Sequence, residues 1–220
     1  MRKTIFAVGE FYHIYNRGTE KRTIFLDEND YTRFKESIVE FNVIEPIGSL
    51  FENSFRKKNQ LHQLGGLASK DANEKLVNII AYCLNPNHYH LILQQVSEKG
   101  IEKFMQRLGT GYTMYFNNKC ERTGSLFQGT FKAIHIDSNV YLLHVSAYVN
   151  LNDQVHQFRD STSKSSWIEY TKKDNKDGIC KKEAVLGQFR TIEEYGTFAK
   201  NSLRGTMERR GLLDESILLE

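Results

Sequence analysis

Apolar and polar positions along the chain set out a mixed fold. Phe11 to Arg17 (Phe-Tyr-His-Ile-Tyr-Asn-Arg) reads as a first strand, and Gly18 breaks it. Asp27 then opens a helix as its cap, and Asp30 adds favourable charge near the amino end. Tyr31, Phe34, Ile38 and Phe41 recur at helical spacing and form its buried stripe. Gly48 to Asn73 has no period and is rich in Ser, Asn, Gln, Lys and Gly, which predicts an inserted loop. Leu76 to Leu84 is a second strand, rich in Val, Ile and Tyr. The turn Asn85-Pro86-Asn87 joins it to a third, His88 to Gln95, closely enough to predict an antiparallel hairpin. Ser97 to about Asn118 is helical through Ile101, Phe104, Met105, Leu108, Tyr112, Tyr115 and Phe116, with Gly109 and Gly111 marking a bend or a close backbone approach. After a loop from Lys119 to Gly129, Thr130 to Ile136 is a fourth strand. Asp137 or Ser138 then caps a helix running to about Leu151.

The order strand, helix, strand, strand, helix, strand, helix is the split β-α-β-β-α-β arrangement with one helix added. It predicts an α+β domain: a ferredoxin-like antiparallel sheet with helices packed on one face and an extra helix at the end. The domain spans residues 1–153, with 48–73 inserted, and 154–220 is a partly helical extension. In that extension Trp167 and Tyr170 dock on the domain, Lys172 to Lys182 is a charged loop, and Thr191 to Asn201 forms a small helix through Ile192, Tyr195 and Phe198. Residues from Arg204 onward are expected to be poorly ordered.

A length of 220 residues suffices for one domain with a proper core plus additions. No apolar run approaches the length of a membrane span, and the apolar part of Met1-Arg2-Lys3-Thr4-Ile5-Phe6-Ala7 is too short for a signal peptide, so a cytoplasmic protein is expected. Cys83, Cys120 and Cys180 are far apart and form no Cys-x-x-Cys pair, which argues against a disulfide framework or a zinc knuckle. The net charge of +3 permits a nucleic-acid partner without requiring one.

The candidate chemistry begins with His88 and His90, one residue apart in the apolar third strand. Residues i and i+2 of a strand share a face, so the two imidazoles project side by side while Tyr89, Leu91 and Leu93 point into a core. Such a pair on a rigid strand can supply half of a divalent-metal site. A bare His-x-His is more often one exposed and one satisfied core histidine. Here the bulky residue between, the hydrophobic strand and the turn that fixes its start favour the metal. On the last helix, Tyr148 and Asn152 are four apart and share a face, with His144 one turn earlier. If that helix packs on the histidine face, the Tyr148 hydroxyl reaches the site and the Asn152 amide oxygen supplies a third ligand. Imidazole plus oxygen donors suit Mg²⁺ or Mn²⁺ better than a closed zinc site. Taken singly, Tyr148 reads as an ordinary buried aromatic, Asn152 as a helix-end residue and His144 as a surface or supporting group.

Four segments together carry a resemblance. Ala81-Tyr82-Cys83-Leu84-Asn85-Pro86-Asn87-His88-Tyr89-His90, then Gly124-Ser125-Leu126-Phe127-Gln128-Gly129-Thr130-Phe131-Lys132, then Tyr141-Leu142-Leu143 and Ala147-Tyr148-Val149-Asn150-Leu151-Asn152 are similar in order to the REP-associated tyrosine transposases, within the HUH single-strand endonucleases and alongside the transposases of small single-strand insertion sequences. Tyr12-His13-Ile14-Tyr15-Asn16-Arg17-Gly18 resembles the family's first strand. The resemblance implies that His88 and His90 bind Mg²⁺ or Mn²⁺, that Tyr148 is the nucleophile, and that Asn152 completes the metal site. It implies cleavage and rejoining of single-stranded or hairpin DNA through a 5′-phosphotyrosine intermediate, by a monomer or a homodimer. The sequence departs from the family at one place: the usual Tyr-Ile-His-x-Asn-Pro reads Tyr148-Val149-Asn150-Leu151-Asn152-Asp153.

For DNA, Arg17, Arg107, Lys119, Arg122 and Lys132 are candidates for phosphate contacts, and Tyr112, Tyr115 and Phe127 for stacking on bases. Equally, the two tyrosines read as helix core and the charges as a solvated face. Against the leading expectation of a metal-dependent endonuclease and strand transferase stands a catalytically weak or inactive hairpin-binding protein of the same fold. An unrelated metal hydrolase using His88 and His90 is a further alternative. A replication initiator is disfavoured because no helicase-type phosphate loop follows.

Overall fold

The computed structural model describes residues 4–54, 74–156, 163–172 and 178–212, with side chains to 208. Its centre is a sheet of five antiparallel strands in the order β4-β1-β3-β2-β5. They are β1 (Phe11–Arg17), β2 (Val77–Asn85), β3 (His88–Gln95), β4 (Lys132–Ile136) and the two-residue β5 (Lys164–Ser165). The helices are α1 (Glu28–Glu40), α2 (Gly100–Lys119), α3 (Asn139–Asn150), α4 (Asn152–Val155), α5 (Trp167–Thr171), α6 (Glu183–Leu186) and α7 (Ile192–Leu212). Through α3 this is the split β-α-β-β-α-β order, an α+β fold.

The local reasons are those of the sequence. Asp27 caps α1 by accepting from the backbone N–H groups of Asn29 and Asp30, and Ser138 caps α3 by accepting from that of Tyr141. Gly111 is a close approach rather than a bend, since a Cβ there would lie 2.7 Å from the Phe41 ring. Leu50 to Ser54 is helical, in contrast to the expected loop; the rest of that segment, from residue 55 to 73, lies outside the described residues. The missed signal is a capping box. Ser49 Oγ accepts from the Glu52 N–H at 3.1 Å, and the Glu52 carboxylate accepts from the Ser49 N–H at 3.0 Å.

α1 and α2 pack on one face of the sheet, and the added helix α3, with the segment that follows it, covers the other. Tyr12, Ile14, Tyr82, Leu84, Tyr89, Leu91 and Leu93 pack with α1 and α2 in one core. Ile80, Ala81, Cys83 and Ile92 pack with α3 and α7 in the other. The alternation along β2 slips once. Ile79 pairs with Leu93 and Ala81 with Ile92, leaving Ile80 as an extra residue. Val77 and Ile79 therefore face one core, whereas Ala81 and Cys83 face the other.

The segment after α4 is part of this second layer. Tyr170, Val185, Tyr195, Ala199 and Leu203 are buried in it, and β5 extends the sheet beside β2. The small helix expected at 191–201 continues to Leu212, so residues 204–212 are helical rather than disordered. Among the described residues no helix is long and apolar enough to cross a membrane.

Candidate active site

Cross-strand register gathers the site on the α3 face of the sheet. His90 stands opposite Tyr15 on one side and Cys83 on the other, while His88 stands opposite Arg17 and Asn85. Directly opposed residues share a face. The His88 and His90 rings lie edge to face, 5.1 Å apart.

Around His88 the partners fix the proton. Asn87 Oδ1 lies 2.6 Å from Nδ1, so that nitrogen carries the hydrogen and Nε2 presents its lone pair. Asn152 Oδ1, also an acceptor, faces that lone pair at 3.4 Å. Two acceptors aimed at one point need a donor or a cation between them. In this structure the Asn85 side-chain N–H₂ fills the role, 2.9 Å from His88 Nε2 and 2.7 Å from Asn152 Oδ1. Burial lowers the His88 pKa to about 4; the nearby His156 and Arg17 charges push the same way, and Asn152 pushes back. His88 is thus a neutral donor at physiological pH.

His90 is oriented by His13. Their rings stack 5.1 Å apart, and His13 Nε2 lies 2.9 Å from His90 Nδ1. His90 would therefore take a metal through Nε2. His13 is buried, and burial holds its pKa down to about 4. Among the described residues no group of three or more His, Cys, Asp or Glu side chains is placed to hold a metal. The donor set here is of another kind: two imidazoles and the Asn152 amide oxygen, which fits a small divalent cation with mixed nitrogen and oxygen ligands.

Tyr148 reaches the same face from α3. Its ring lies 5.6 Å from that of His90 and 6.1 Å from that of His13, edge-on to both. Tyr15 completes the aromatic wall 5.7 Å from His90. Burial raises its pKa, and the neighbouring Tyr148 and Tyr141 phenols raise it further, so Tyr15 stays a protonated phenol. α3 ends at Asn150 and a short break at Leu151 starts α4, which sets Asn152 fully buried beneath His88. His144 turns away from the site: Nδ1 lies 2.8 Å from Ser202 Oγ, and the ring packs on Phe198 of α7.

The departure at Asn150 also lies outside the reacting face. Its amide donates to the Tyr195 hydroxyl at 2.8 Å and accepts from Ser166 Oγ at 2.5 Å, tying α3 to the C-terminal helices.

The DNA candidates divide. Arg17 and Lys132 come to the site face: Arg17 opposes His88 across β1–β3, and Lys132 opposes Tyr15 across β1–β4. Among the described residues the buried Arg17 Nε–H has no hydrogen-bond partner. The residues of α2 and the following loop instead belong to the opposite layer. Tyr112 is fully buried with its hydroxyl on the Ile24 carbonyl, and Phe127 is 7% exposed against Tyr89 and Tyr112, so neither ring can stack on a base. Their helical spacing marked core. Tyr115 donates to Asp30, and Lys119 bridges Asp27 and Asp30. Arg107 donates to the Val43 and Ile44 carbonyls, and Arg122 to Asn117 and the Ser125 carbonyl. Asn85 and His13 are the residues that sequence reasoning left out of the site. Register opposite His88 and His90 or their strand neighbours is the signal that finds them.

Comparison with known proteins adds a similarity over the middle of the chain. Residues 51–152 match the family described as IS200-like transposases. A solved structure of a REP-associated tyrosine transposase bound to a REP hairpin is 13% identical, covers 77% of this chain and 83% of its own, and aligns with a TM-score of 0.48. A proposed transposase from Deinococcus radiodurans R1 is also 13% identical, covers 72% and 95%, and aligns at 0.37. No curated protein sequence matches the chain. Residues 51–152, which hold His88, His90, Tyr148 and Asn152, are thus similar to the IS200-like transposases.

Proposed function

We propose that this protein is a single-strand DNA endonuclease and strand transferase that uses Tyr148 as nucleophile beside a Mg²⁺ or Mn²⁺ site. The observation that carries the reading is the meeting, on one sheet face, of the Tyr148 phenol with His90 and of the paired acceptors His88 Nε2 and Asn152 Oδ1. His88, His90 and Asn152 would hold a divalent cation, which when bound would withdraw charge from the scissile phosphate. Arg17 and Lys132 hold DNA phosphates on the same face. The Tyr148 oxygen attacks phosphorus in line and loses its proton, the bond to the 3′ oxygen breaks, and that oxygen leaves as a hydroxyl. The 5′-phosphotyrosine link keeps the energy of the broken diester, so a 3′-hydroxyl reverses the attack and joins strands without ATP. Hairpin DNA as the substrate rests on the resemblance of the four motif segments to REP-associated tyrosine transposases.

The test is covalent trapping of labelled hairpin DNA with Mn²⁺ on a denaturing gel, beside Tyr148→Phe and His88→Ala. A protein-linked band that both variants lose supports the reading. Tight hairpin binding with no band from the wild type would make the protein a hairpin-binding module. A band surviving Tyr148→Phe would move the nucleophile to another tyrosine.

A further inference from the structure

The Asn85 amide end lies 2.9 Å from His88 Nε2 and 2.7 Å from Asn152 Oδ1. We propose that Asn85 is a further protein ligand of the same divalent site, entering through Oδ1 when its amide turns end for end. This rests on the reading of His88, His90 and Asn152 as the metal site.

Placement comes first. Asn85 is the last residue of β2, lies opposite His88 and is completely buried. The slip at Ile80 puts it on the histidine face, with Cys83. Spacing follows. The Asn85 amide end, His88 Nε2 and Asn152 Oδ1 form a triangle with edges of 2.9, 2.7 and 3.4 Å. Ligands on one face of a small octahedral cation with bonds near 2.1 Å keep separations of about 3 Å. The triangle has those dimensions, and two of its corners are lone pairs already.

The third corner is set by which end of the amide faces inward. With N–H₂ inward, Asn85 satisfies both acceptors. With oxygen inward, it becomes a third lone pair. The turn exchanges groups of nearly equal size about one side-chain bond. The Oδ1 end holds a weak partner, the Cys83 thiol at 3.5 Å, so little opposes the exchange. Asn152 points the same way: its Oδ1 faces the site although its buried Nδ2 has no hydrogen-bond partner among the described residues. A side chain held with its oxygen inward and its nitrogen unsatisfied is oriented for a ligand.

The experiment is Mn²⁺ titration by calorimetry of the full chain, as wild type, Asn85→Asp, Asn85→Leu and His88→Ala. A carboxylate at this corner tightens Mn²⁺ by roughly tenfold or more, and the isosteric Leu weakens it by at least as much. Binding by the wild type that is lost in His88→Ala, but weakened or unchanged in Asn85→Asp, would leave the metal site standing and reduce Asn85 to a donor. Absence of Mn²⁺ binding by the wild type would remove the metal site and this inference together. A readout on the unaltered chain guards against variants that misfold. In a Mg²⁺ titration followed by NMR, the Asn85 side-chain N–H₂ resonances shift if the amide turns. If they stay fixed while His88 responds, the proposal fails.

Discussion

His13 Nε2 and His90 Nδ1 lie 2.9 Å apart on neighbouring strands, in a spot where each residue is only 7% exposed. A buried N–H of His90 that donates to His13 leaves the opposite nitrogen to face the site. Replacing His13 by Phe removes the acceptor. The expected result is a loss of about 1–3 kcal/mol of stability and Mn²⁺ affinity weaker by roughly 10–100-fold. His13→Gln keeps an acceptor at the same reach and should restore most of the metal affinity. Thermal melting and Mn²⁺ calorimetry on both variants check this.

Acid should unfold the metal-free protein through the same histidines. His13 and His88 have folded pKa values of about 4 against an ordinary 6.5. Between those values the unfolded chain binds protons that the folded chain refuses. Their contribution is therefore complete above pH 6.5 and is lost as pH falls toward 4. Each full proton of difference amounts to about 1.4 kcal/mol per pH unit. Urea unfolding at a series of pH values should give this slope, and His13→Gln should reduce it by about one proton.

The last helices should be inseparable from the sheet. Tyr195 is fully buried, accepts from the Asn150 amide at 2.8 Å and packs on Tyr170. Tyr195→Phe leaves that amide unpaired and should cost about 1–3 kcal/mol. Ending the chain at Asp153 uncovers Val145, Val149 and Ile80 and should yield insoluble or unfolded protein, scored by soluble yield and circular dichroism.

DNA binding should separate the two layers. Arg17→Ala and Lys132→Ala should each lower the salt dependence of hairpin binding by about one in the log–log slope. Arg107→Ala, which strips the cap from the Val43 and Ile44 carbonyls, should lower the melting temperature and leave that slope unchanged. Fluorescence anisotropy across a salt series distinguishes the variants.

Much of this was legible in the chain. The period-two run from His88 to Gln95 and the Tyr148–Asn152 spacing told which side chains share a surface, and Asp27 and Ser138 marked where helices begin. The family segments then joined the two surfaces. What escaped depended on pairing between distant strands. His13 lies 77 residues from His90, and Asn85 lies 67 residues from Asn152. No local pattern reports such partners. The basic and aromatic residues of α2 lie apart from the histidines for the opposite reason. Composition is blind to which side of a sheet a helix takes, and α2 takes the side away from the histidines.

The extra residue at Ile80 acts as a change of phase in a two-beat rhythm. Before it, Val77 and Ile79 fall on one beat; after it, Ala81 and Cys83, the same count apart, fall on the other. Removing a single residue there would return the strand to strict alternation. Either Asn85 would leave the histidine surface, or Val77 and Ile79 would leave their core. Strand length between Val77 and Asn85 is thus as much a component of the reacting surface as any side chain on it. Substitutions along β2 should be forgiven more readily than a one-residue insertion or deletion.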